Sequence, residues 1–205
     1  MTRLDGEAVR QSLGDSTIAR LGTFEAFREI GSTNSHLMQQ AAPLPGQAHV
    51  AVTDNQTHGR GRHGRTWLSP PGSGLCLSLA YTFVRQPADL PPLTLAIGLG
   101  VIDALEQVGV SGVHLKWPND LIADDGKLGG ILTETQSHRS GVITVVSGVG
   151  VNVNLGNSPA FDSQPESVRN PVDLARISSE IPSVNRLASE LIAGLIATFV
   201  EYDAE

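Results

Sequence analysis

The residues best suited to bind an anion are concentrated in one short segment, GRGRHGR, which runs from Gly59 to Arg65. Arginine occupies positions 60, 62 and 65 of this segment, and glycine occupies positions 59, 61 and 64. Glycine in a helix interior costs about 0.5–1 kcal/mol relative to alanine, so a helix is not expected here. Glycine lets backbone amides approach a ligand closely, and a guanidinium group binds carboxylate or phosphate through two hydrogen bonds. The segment therefore predicts a loop that wraps an anionic ligand.

Two plainer interpretations of this loop remain open at the level of its own residues: a solvated basic loop, or an RGG-type tract that binds RNA. RGG tracts usually lie in disordered, low-complexity surroundings. Here the loop lies between two apolar segments, 49–53 and 75–82, which favours a loop mounted on a folded domain. The formal net charge of −7 argues against general nucleic-acid binding, so no nucleic-acid partner is expected.

The composition predicts one globular domain, or one domain with a small appendage. The chain has 205 residues, of which 40% are hydrophobic and 17% charged. Cys76 is the single cysteine, so an intramolecular disulfide is excluded, and its apolar neighbours predict a buried thiol that packs as a small hydrophobe. The N-terminus lacks the apolar core of a signal peptide, and no apolar stretch reaches the ~20 residues of a membrane span. We therefore expect a cytoplasmic protein without a membrane partner.

Alternation and helical spacing predict the elements around the loop. A strand over 23–30 precedes Gly31-Ser32-Thr33-Asn34, where a helix begins, and a strand over 49–53 leads into the glycine–arginine segment. A strand over 75–82 and a core-packing helix over 92–108 follow. The hydroxyl groups at the start of the first helix either cap it or hold a polar group of a ligand.

Two hairpins are predicted in the second half of the chain. Strands over 113–117 and 121–123 flank KWPND, and Asp124-Asp125-Gly126 turns the chain into a strand over 127–135. A second turn at 138–141 leads into a strand over 142–154, where Gly148 and Gly150 indicate a close approach by a ligand or another backbone. A long loop over 156–184 and an amphipathic helix over 186–202 complete the chain, and residues 1–22 are predicted to form one loose helix.

Five motifs in order carry a specific resemblance: GSTN, QTHGRGRHGRTW, KWPNDL, GKLGGILTE and GVGVNVN. This succession resembles the biotin protein ligases from about residue 27 to residue 155. The combination of KWPND with GKLGGIL is the most discriminating part, because lipoate ligases share the fold without this string. The resemblance implies an α+β fold, in which helices flank a mixed, mostly antiparallel sheet similar to that of class II aminoacyl-tRNA synthetases. It implies a catalytic domain over 23–205, preceded by an N-terminal extension over 1–22.

The resemblance also implies an activity and its substrates. Biotin and ATP would react to biotinyl-5′-AMP and pyrophosphate with Mg²⁺, and biotin would then pass to a lysine of a biotin carboxyl carrier domain. Such a reaction brings two anions together, so charge neutralisation and positioning should dominate catalysis. Two alternatives are a lipoate- or octanoate-transferring relative on the same fold and a biotin-binding protein without catalysis.

Site residues follow from the same resemblance, position by position. Lys127, expected between the biotin carboxylate and the α-phosphate, and Arg62 are the implied catalytic residues. The implied biotin-binding residues are Ser32, Thr33, Asn34, Gln56, Gly59, Arg60, Gly61, Arg62, Lys127, Gly130 and Gly148. The implied ATP-binding residues are Arg62, Arg65, Trp67, Lys116, Asn119, Asp120, Lys127 and Asn152. Asp120 is also the implied ligand of Mg²⁺.

Two positions and two regions depart from the family pattern or leave a choice. His58 stands where alanine is frequent in the family, and it either adds a donor to the loop or has no role. Lys116 would meet either the adenylate or the incoming carrier lysine. The family's C-terminal β-barrel and the DNA-binding domain of its repressor-type members have no counterpart in these 205 residues. We therefore expect a protein that ligates and does not regulate transcription.

Overall fold

A seven-stranded mixed sheet forms the centre of the computed structural model, which describes residues 3–85, 87, 90–138, 141–156 and 171–204. The strand order is β1-β2-β3-β7-β6-β5-β4. The strands are β1 Leu21–Phe27, β2 Ala48–Thr53, β3 Gly74–Thr82, β4 His114–Lys116, β5 Asp120–Ala123, β6 Gly126–Ser137 and β7 Ile143–Asn152. β1 and β2 are parallel, and every other neighbouring pair is antiparallel. The predicted mixed, mostly antiparallel sheet is confirmed.

Helices cover both faces of this sheet. They are α1 Gly6–Gln11, α2 Asp15–Arg20, α3 Thr33–Gln39, α4 Pro91–Gln107, α5 Leu174–Ile177 and α6 Val184–Ala204. Val50 and Val52 of β2 belong to the main core with α4 and α6, whereas Ala51 packs in a smaller cluster with Leu37 of α3. Successive residues of a strand point to opposite faces, so α3 lies on the face opposite α4 and α6.

The N-terminal region differs from the single loose helix that was predicted. Gly14, in an extended conformation, separates two six-residue helices, α1 and α2. The Asp5 carboxylate caps α1 by accepting from the backbone amides of its first turn, and the Asp5 amide donates to the Asn185 side chain on α6 at 2.9 Å. Val9 is fully buried in the main core. Residues 6–20 therefore pack against the sheet domain through α6.

The C-terminal half follows the prediction with small shifts. α6 begins two residues before the predicted helix and ends two residues after it, and the short helix α5 lies inside the predicted loop over 156–184. Residues 157–170 of that loop and residues 139–140 of the second turn lie outside the described residues. The amide of His138 donates to the Val142 carbonyl at 3.0 Å, as a chain reversal requires. Within the described ranges, no helix is long and apolar enough to cross a membrane.

Candidate active site

Small residues on neighbouring strands form a trough on the face of the sheet beneath α3. The strand register places Asp120, Gly130, Gly150 and Cys76 in one row across β5, β6, β7 and β3. A second row, two residues along, holds Leu132, Gly148 and Ser78. Residues two apart in a strand share a face, so both rows open to the same side.

A cavity of about 860 Å³ occupies this trough. It is lined by α3, the glycine–arginine loop, the KWPND turn and strands β3, β6 and β7. All the site residues expected from the sequence line it except Gly59 and Lys116. The structure therefore brings together residues that lie as far apart in the chain as Ser32 and Asn152.

Neutral polar groups line the end of the cavity under α3. The Ser32 hydroxyl caps α3 by accepting from the Ser35 amide, so the capping role considered for this residue is present. The Thr33 amide donates to Gln56 Oε1 at 2.8 Å, and the Thr33 hydroxyl lies 3.1 Å from the same oxygen. The buried Ser78 hydroxyl lies 2.7 Å from Thr33 Oγ1 and 2.6 Å from Asn34 Oδ1. This end of the cavity, the polar end, offers donors and acceptors without a net charge.

Charged groups line the other end of the cavity. Lys127 Nζ lies 2.6 Å from Asp120 Oδ1, and both side chains are 32% exposed. The same Nζ lies 5.9 Å from the centre of the Trp67 ring, within reach of a cation–π interaction. Arg62 Nη1 donates to Asn119 Oδ1 at 3.0 Å, so the loop meets the KWPND turn here. A lysine that pairs with one carboxylate across a cavity can exchange that partner for an anionic ligand.

The glycine–arginine loop folds back tightly over the trough. The Trp67 amide donates to the Gly59 carbonyl at 2.9 Å, and the Gly61 amide donates to the Arg65 carbonyl at 2.7 Å. A Cβ at position 59 would lie 2.3 Å from the Trp67 carbonyl oxygen, so the reversal itself requires this buried glycine. Residues 62–64 form a single 3₁₀ turn in which His63 adopts a left-handed conformation with φ of 56°.

Two other glycines make room for side chains rather than for a ligand alone. A Cβ at position 150 would lie 2.6 Å from the Trp67 indole, and a Cβ at position 148 would lie 2.2 Å from Asn34 Oδ1. Trp67 thus both packs on β7 and lines the cavity. Gly130 differs, because a Cβ there would make only ordinary contacts of 3.5 Å with the Lys127 side chain.

This difference predicts different effects on the melting temperature for two matched substitutions. Gly148→Ala should displace Asn34 and lower both the melting temperature and ligand affinity, because overpacking costs about 1–3 kcal/mol. Gly130→Ala should leave the melting temperature near that of the parent protein and weaken ligand binding, because its methyl group enters the cavity. Thermal unfolding and calorimetric titration of both variants measure this. A stable Gly148→Ala variant with unchanged affinity would contradict the assigned contact.

Asn152 has a structural part in the site. Its side-chain amide donates to the carbonyls of Lys127 and Val172 at 3.2 and 3.0 Å, and the residue is 6% exposed. The Val172 amide donates to the same Lys127 carbonyl at 3.0 Å. Asn152 therefore fixes the backbone of Lys127 while it lines the cavity.

Two residues with open roles lie at the margin of the site. Lys116 is exposed at the end of the edge strand β4, where its carbonyl accepts from the Asn119 amide at 3.2 Å. His58 is exposed, and its Nδ1 lies 2.9 Å from the Thr57 hydroxyl. Neither side chain is among those that line the cavity.

Cys76 is buried in the floor of the trough, as predicted. Burial raises the pKa of its thiol to about 11, and hydrogen bonding with the side chains of Ser69 and Trp67 offsets only part of this rise. At pH 7 the reactive thiolate is therefore a minor species. We expect that iodoacetamide at pH 7 does not alkylate Cys76 in the native protein and alkylates it fully in guanidinium chloride. Mass spectrometry measures the extent of alkylation. Rapid native labelling would contradict the burial.

The sequence that forms this cavity matches a family model. The model of the biotin/lipoate A/B protein ligase family matches residues 27–152, which include every expected site residue. The chain belongs to this family.

Individual members of the family match at moderate identity. The chain is 36% identical over 152 residues to the bifunctional ligase/repressor BirA of Salmonella typhimurium, a match that covers 74% of this chain and 45% of the relative. It is 36% identical over 184 residues to the biotin–[acetyl-CoA-carboxylase] ligase of Mycobacterium tuberculosis, covering 87% and 64%. The chain thus spans about half to two thirds of the length of these curated relatives.

Solved structures of the family confirm the predicted fold. The biotin protein ligase from Aquifex aeolicus in complex with biotin and ATP superposes with a TM-score of 0.70 at 27% identity, covering 90% of this chain and 73% of that one. A lipoate protein ligase from Thermoplasma acidophilum shares the fold with a TM-score of 0.60 at 9% identity.

Three residues of the cavity or its immediate surroundings are not predicted from the sequence: Ser78, Glu134 and the contact of Gly150 with Trp67. The position of Gly150 within a strand predicts a close approach, but its partner lies on a loop far away in the chain. A serine within the otherwise apolar strand LCLSLAYT is the available signal for Ser78. Glu134 carries no signal of its own, because the resemblance assigns roles only to the lysine and a glycine of the GKLGGILTE motif.

Proposed function

We propose that this chain is an ATP-dependent biotin–protein ligase, with its catalytic domain over 23–205 and residues 1–22 as an extension. In the first half-reaction, a biotin carboxylate oxygen attacks the α-phosphorus of ATP and pyrophosphate leaves, which gives biotinyl-5′-AMP. In the second, the amine of a carrier-domain lysine attacks the biotinyl carbonyl, AMP leaves and the amine loses a proton. The requirement for ATP and for an intracellular carrier makes a cytoplasmic location part of this proposal.

One observation carries the proposal: a single cavity joins a neutral polar end to a cationic end under an arginine-bearing loop. Thr33, Gln56 and Ser78 supply hydrogen-bonding groups at one end. Lys127 and Arg62 supply positive charge at the other. A cavity of about 860 Å³ is large enough for a vitamin-sized ligand together with part of a nucleotide. Biotin has the matching polarity, with a neutral ureido ring at one end and a carboxylate at the other.

Lys127 is the residue assigned to the charge that develops in the first step. Its ammonium group lies at the cationic end on a strand, with its backbone held by Asn152 and its side chain between Asp120 and Trp67. A cation fixed in this way stabilises negative charge on the α-phosphate without reorganisation at the moment of reaction. Arg62 and Arg65, on the covering loop, are assigned to the phosphates.

Mg²⁺ fits the same end of the cavity. The described residues contain no cluster of three or more metal-binding side chains. Mg²⁺ in nucleotide sites is commonly held by one or two carboxylates together with substrate phosphates, and Asp120 is a carboxylate that lines the cavity. Asp120 would hold the ion, which would neutralise phosphate charge. Release of Asp120 from Lys127 would leave the lysine free to contact the reacting oxygens.

We assign the approach of the acceptor lysine to the KWPND turn. Lys116 and Trp117 are exposed there, and Trp117 is also one of the residues that line the cavity. The relative from Mycobacterium tuberculosis is named for ligating biotin to acetyl-CoA carboxylase. We therefore assign a biotin carboxyl carrier domain as the acceptor.

Two rival functions make different demands on the site. A lipoate or octanoate ligase handles an acyl chain without a ureido ring, so the hydrogen-bonding groups around Thr33 and Ser78 would have no ligand partner. A biotin-binding protein without catalysis would need neither Lys127 nor arginines directed at phosphates.

Pyrophosphate release measured with ATP and each carboxylic acid in turn tests the proposal. We expect release that depends on biotin and is absent with lipoate or octanoate. Release with lipoate instead would favour the first rival. Biotin binding by calorimetry without pyrophosphate release would favour the second.

A further inference from the structure

Glu134, on β6, is a carboxylate that lies behind the polar end of the cavity, outside its lining, and it has two different partners. Its Oε2 accepts from the Asn34 amide nitrogen at 3.0 Å, and its Oε1 pairs with Arg60 Nη2 at 2.5 Å. Its side chain is 21% exposed. One carboxylate therefore contacts both the helix beneath which the ligand would lie and the loop that covers it.

The contact with Asn34 fixes the orientation of that amide. Asn34 is 3% exposed, and its nitrogen donates to both Glu134 and the Leu132 carbonyl. Because both of these partners can only accept, the nitrogen must face them and the oxygen must face Ser78, 2.6 Å away. A carboxylate partner excludes the flipped amide, which would oppose two oxygen atoms.

The orientation of Asn34 in turn decides what Ser78 offers to the cavity. Asn34 Oδ1 can only accept, so the single Ser78 hydroxyl proton is donated to it. The Thr33 hydroxyl donates its own proton to Gln56, so Thr33 Oγ1, 2.7 Å from Ser78 Oγ, does not use the Ser78 lone pairs, which are left to face the cavity that Ser78 lines. The polar end is thereby set to accept a hydrogen bond from a ligand N–H group at this point.

The other carboxylate oxygen of Glu134, Oε1, holds the covering loop through Arg60. Arg60 Nη1 also donates to the Ser35 hydroxyl at 3.0 Å, so the guanidinium spans α3 and β6. Loss of the carboxylate would leave this arginine with one of its two described anchors.

We propose that Glu134 is a positioning residue that sets the hydrogen-bond polarity of the biotin site through Asn34 and Ser78 and ties the covering loop to it through Arg60. This inference rests on the proposed function, because the ligand whose N–H group Ser78 accepts is the ureido ring. It names the source of selectivity for biotin over carboxylic acids that lack N–H groups.

Glu134→Gln tests the inference, because an amide has one accepting and one donating end and cannot accept from Asn34 and Arg60 together. We expect the calorimetric Kd for biotin and the KM for biotin to rise about tenfold or more, as loss of a hydrogen bond to a charged group implies. At saturating biotin and ATP, kcat should stay within about twofold of the parent value. Asp124→Asn is the matched control, since it removes the carboxylate of the exposed Arg176–Asp124 pair, 3.1 Å apart and away from the cavity lining.

A double-mutant cycle with Ser78→Ala tests the route through Asn34. If Glu134 acts through Ser78, the serine substitution should cost less in the Glu134→Gln background than in the parent protein. Three results would overturn the inference. The first is that the effects of the two substitutions on biotin binding are strictly additive, and the second is that Glu134→Gln leaves the biotin Kd unchanged. The third is that Glu134→Gln weakens ATP and biotin binding equally and also lowers the melting temperature. Calorimetric biotin binding does not require catalysis. A parent protein that binds biotin and releases no pyrophosphate would therefore overturn the proposed function and leave the inference to be judged by Kd.

Discussion

Replacement of Lys127 by alanine should abolish biotin-dependent pyrophosphate release and leave biotin binding weakened but measurable. The chain contains two lysines, and Lys127 is the one that lines the cavity. Removal of one fixed donor to a developing oxyanion typically costs about 10²–10³-fold in kcat, and a full positive charge between two anions should cost at least as much. The measurements are pyrophosphate release under saturating substrates and calorimetric titration with biotin.

The control for this variant is Arg176→Ala, which also removes a cation from a carboxylate pair. Arg176 pairs with Asp124, and both side chains are about 60% exposed (60% and 59%). An exposed pair contributes little to stability, so this variant should keep both activity and melting temperature. Near-normal pyrophosphate release by Lys127→Ala would mean that the charge at the reacting oxygens comes from another group.

Replacement of Arg62 by glycine should let the activated intermediate escape. Arg62 donates to Asn119 Oδ1 at 3.0 Å and so holds the loop against the KWPND turn. A hydrogen bond from a charged donor is worth about 1.5–3 kcal/mol, so its loss should speed release of the adenylate about 10–100-fold. The free mixed anhydride acylates exposed amines, and we expect biotin on lysines of an added bystander protein such as serum albumin. Mass spectrometry of the bystander measures this labelling.

His63→Gly separates the lost contact from added loop flexibility. His63 lies in the same turn with φ of 56°, a conformation that glycine adopts without strain. This variant frees the backbone and keeps the Arg62 guanidinium, so its bystander labelling should stay near the parent level. Equal labelling by both variants would show that backbone order, and not the contact with Asn119, retains the intermediate.

Much of the site could be predicted because its motifs are local in sequence. The hairpin that carries KWPND and Lys127 is marked by Asp124-Asp125-Gly126, and the structure places both aspartates at positive φ. Gly148 and Gly150 predict a close approach because glycine weakens a strand interior, but the groups that approach them are the side chains of Asn34 and Trp67 and not another backbone. The hairpin needs only a few neighbouring residues for its prediction, and it agrees with the structure.

Contacts between distant segments could not be predicted in this way. Glu134 meets Arg60 from 74 residues away, and Ser78 meets Thr33 across 45 residues. The strand register decides such contacts, and a shift of one residue would turn each side chain to the other face of the sheet. The same limit applies to Gly148, which has no side chain and so makes room for Asn34, 114 residues earlier in the chain. It also applies to Asn152, whose contact with the Lys127 carbonyl gives it a structural role beside its predicted one.

The most direct test of the proposed function follows one oxygen atom through both half-reactions. Biotin labelled with ¹⁸O in both carboxylate oxygens would be supplied with unlabelled ATP and an apo carrier domain, and the products would be analysed by mass spectrometry. Attack of the carboxylate on the α-phosphorus leaves one labelled oxygen as the bridge of the adenylate, and aminolysis at the carbonyl transfers that oxygen to AMP. We predict one ¹⁸O in each AMP, none in pyrophosphate, and biotin on a carrier lysine. Unlabelled AMP, or label in inorganic phosphate released with ADP, would contradict an adenylate intermediate.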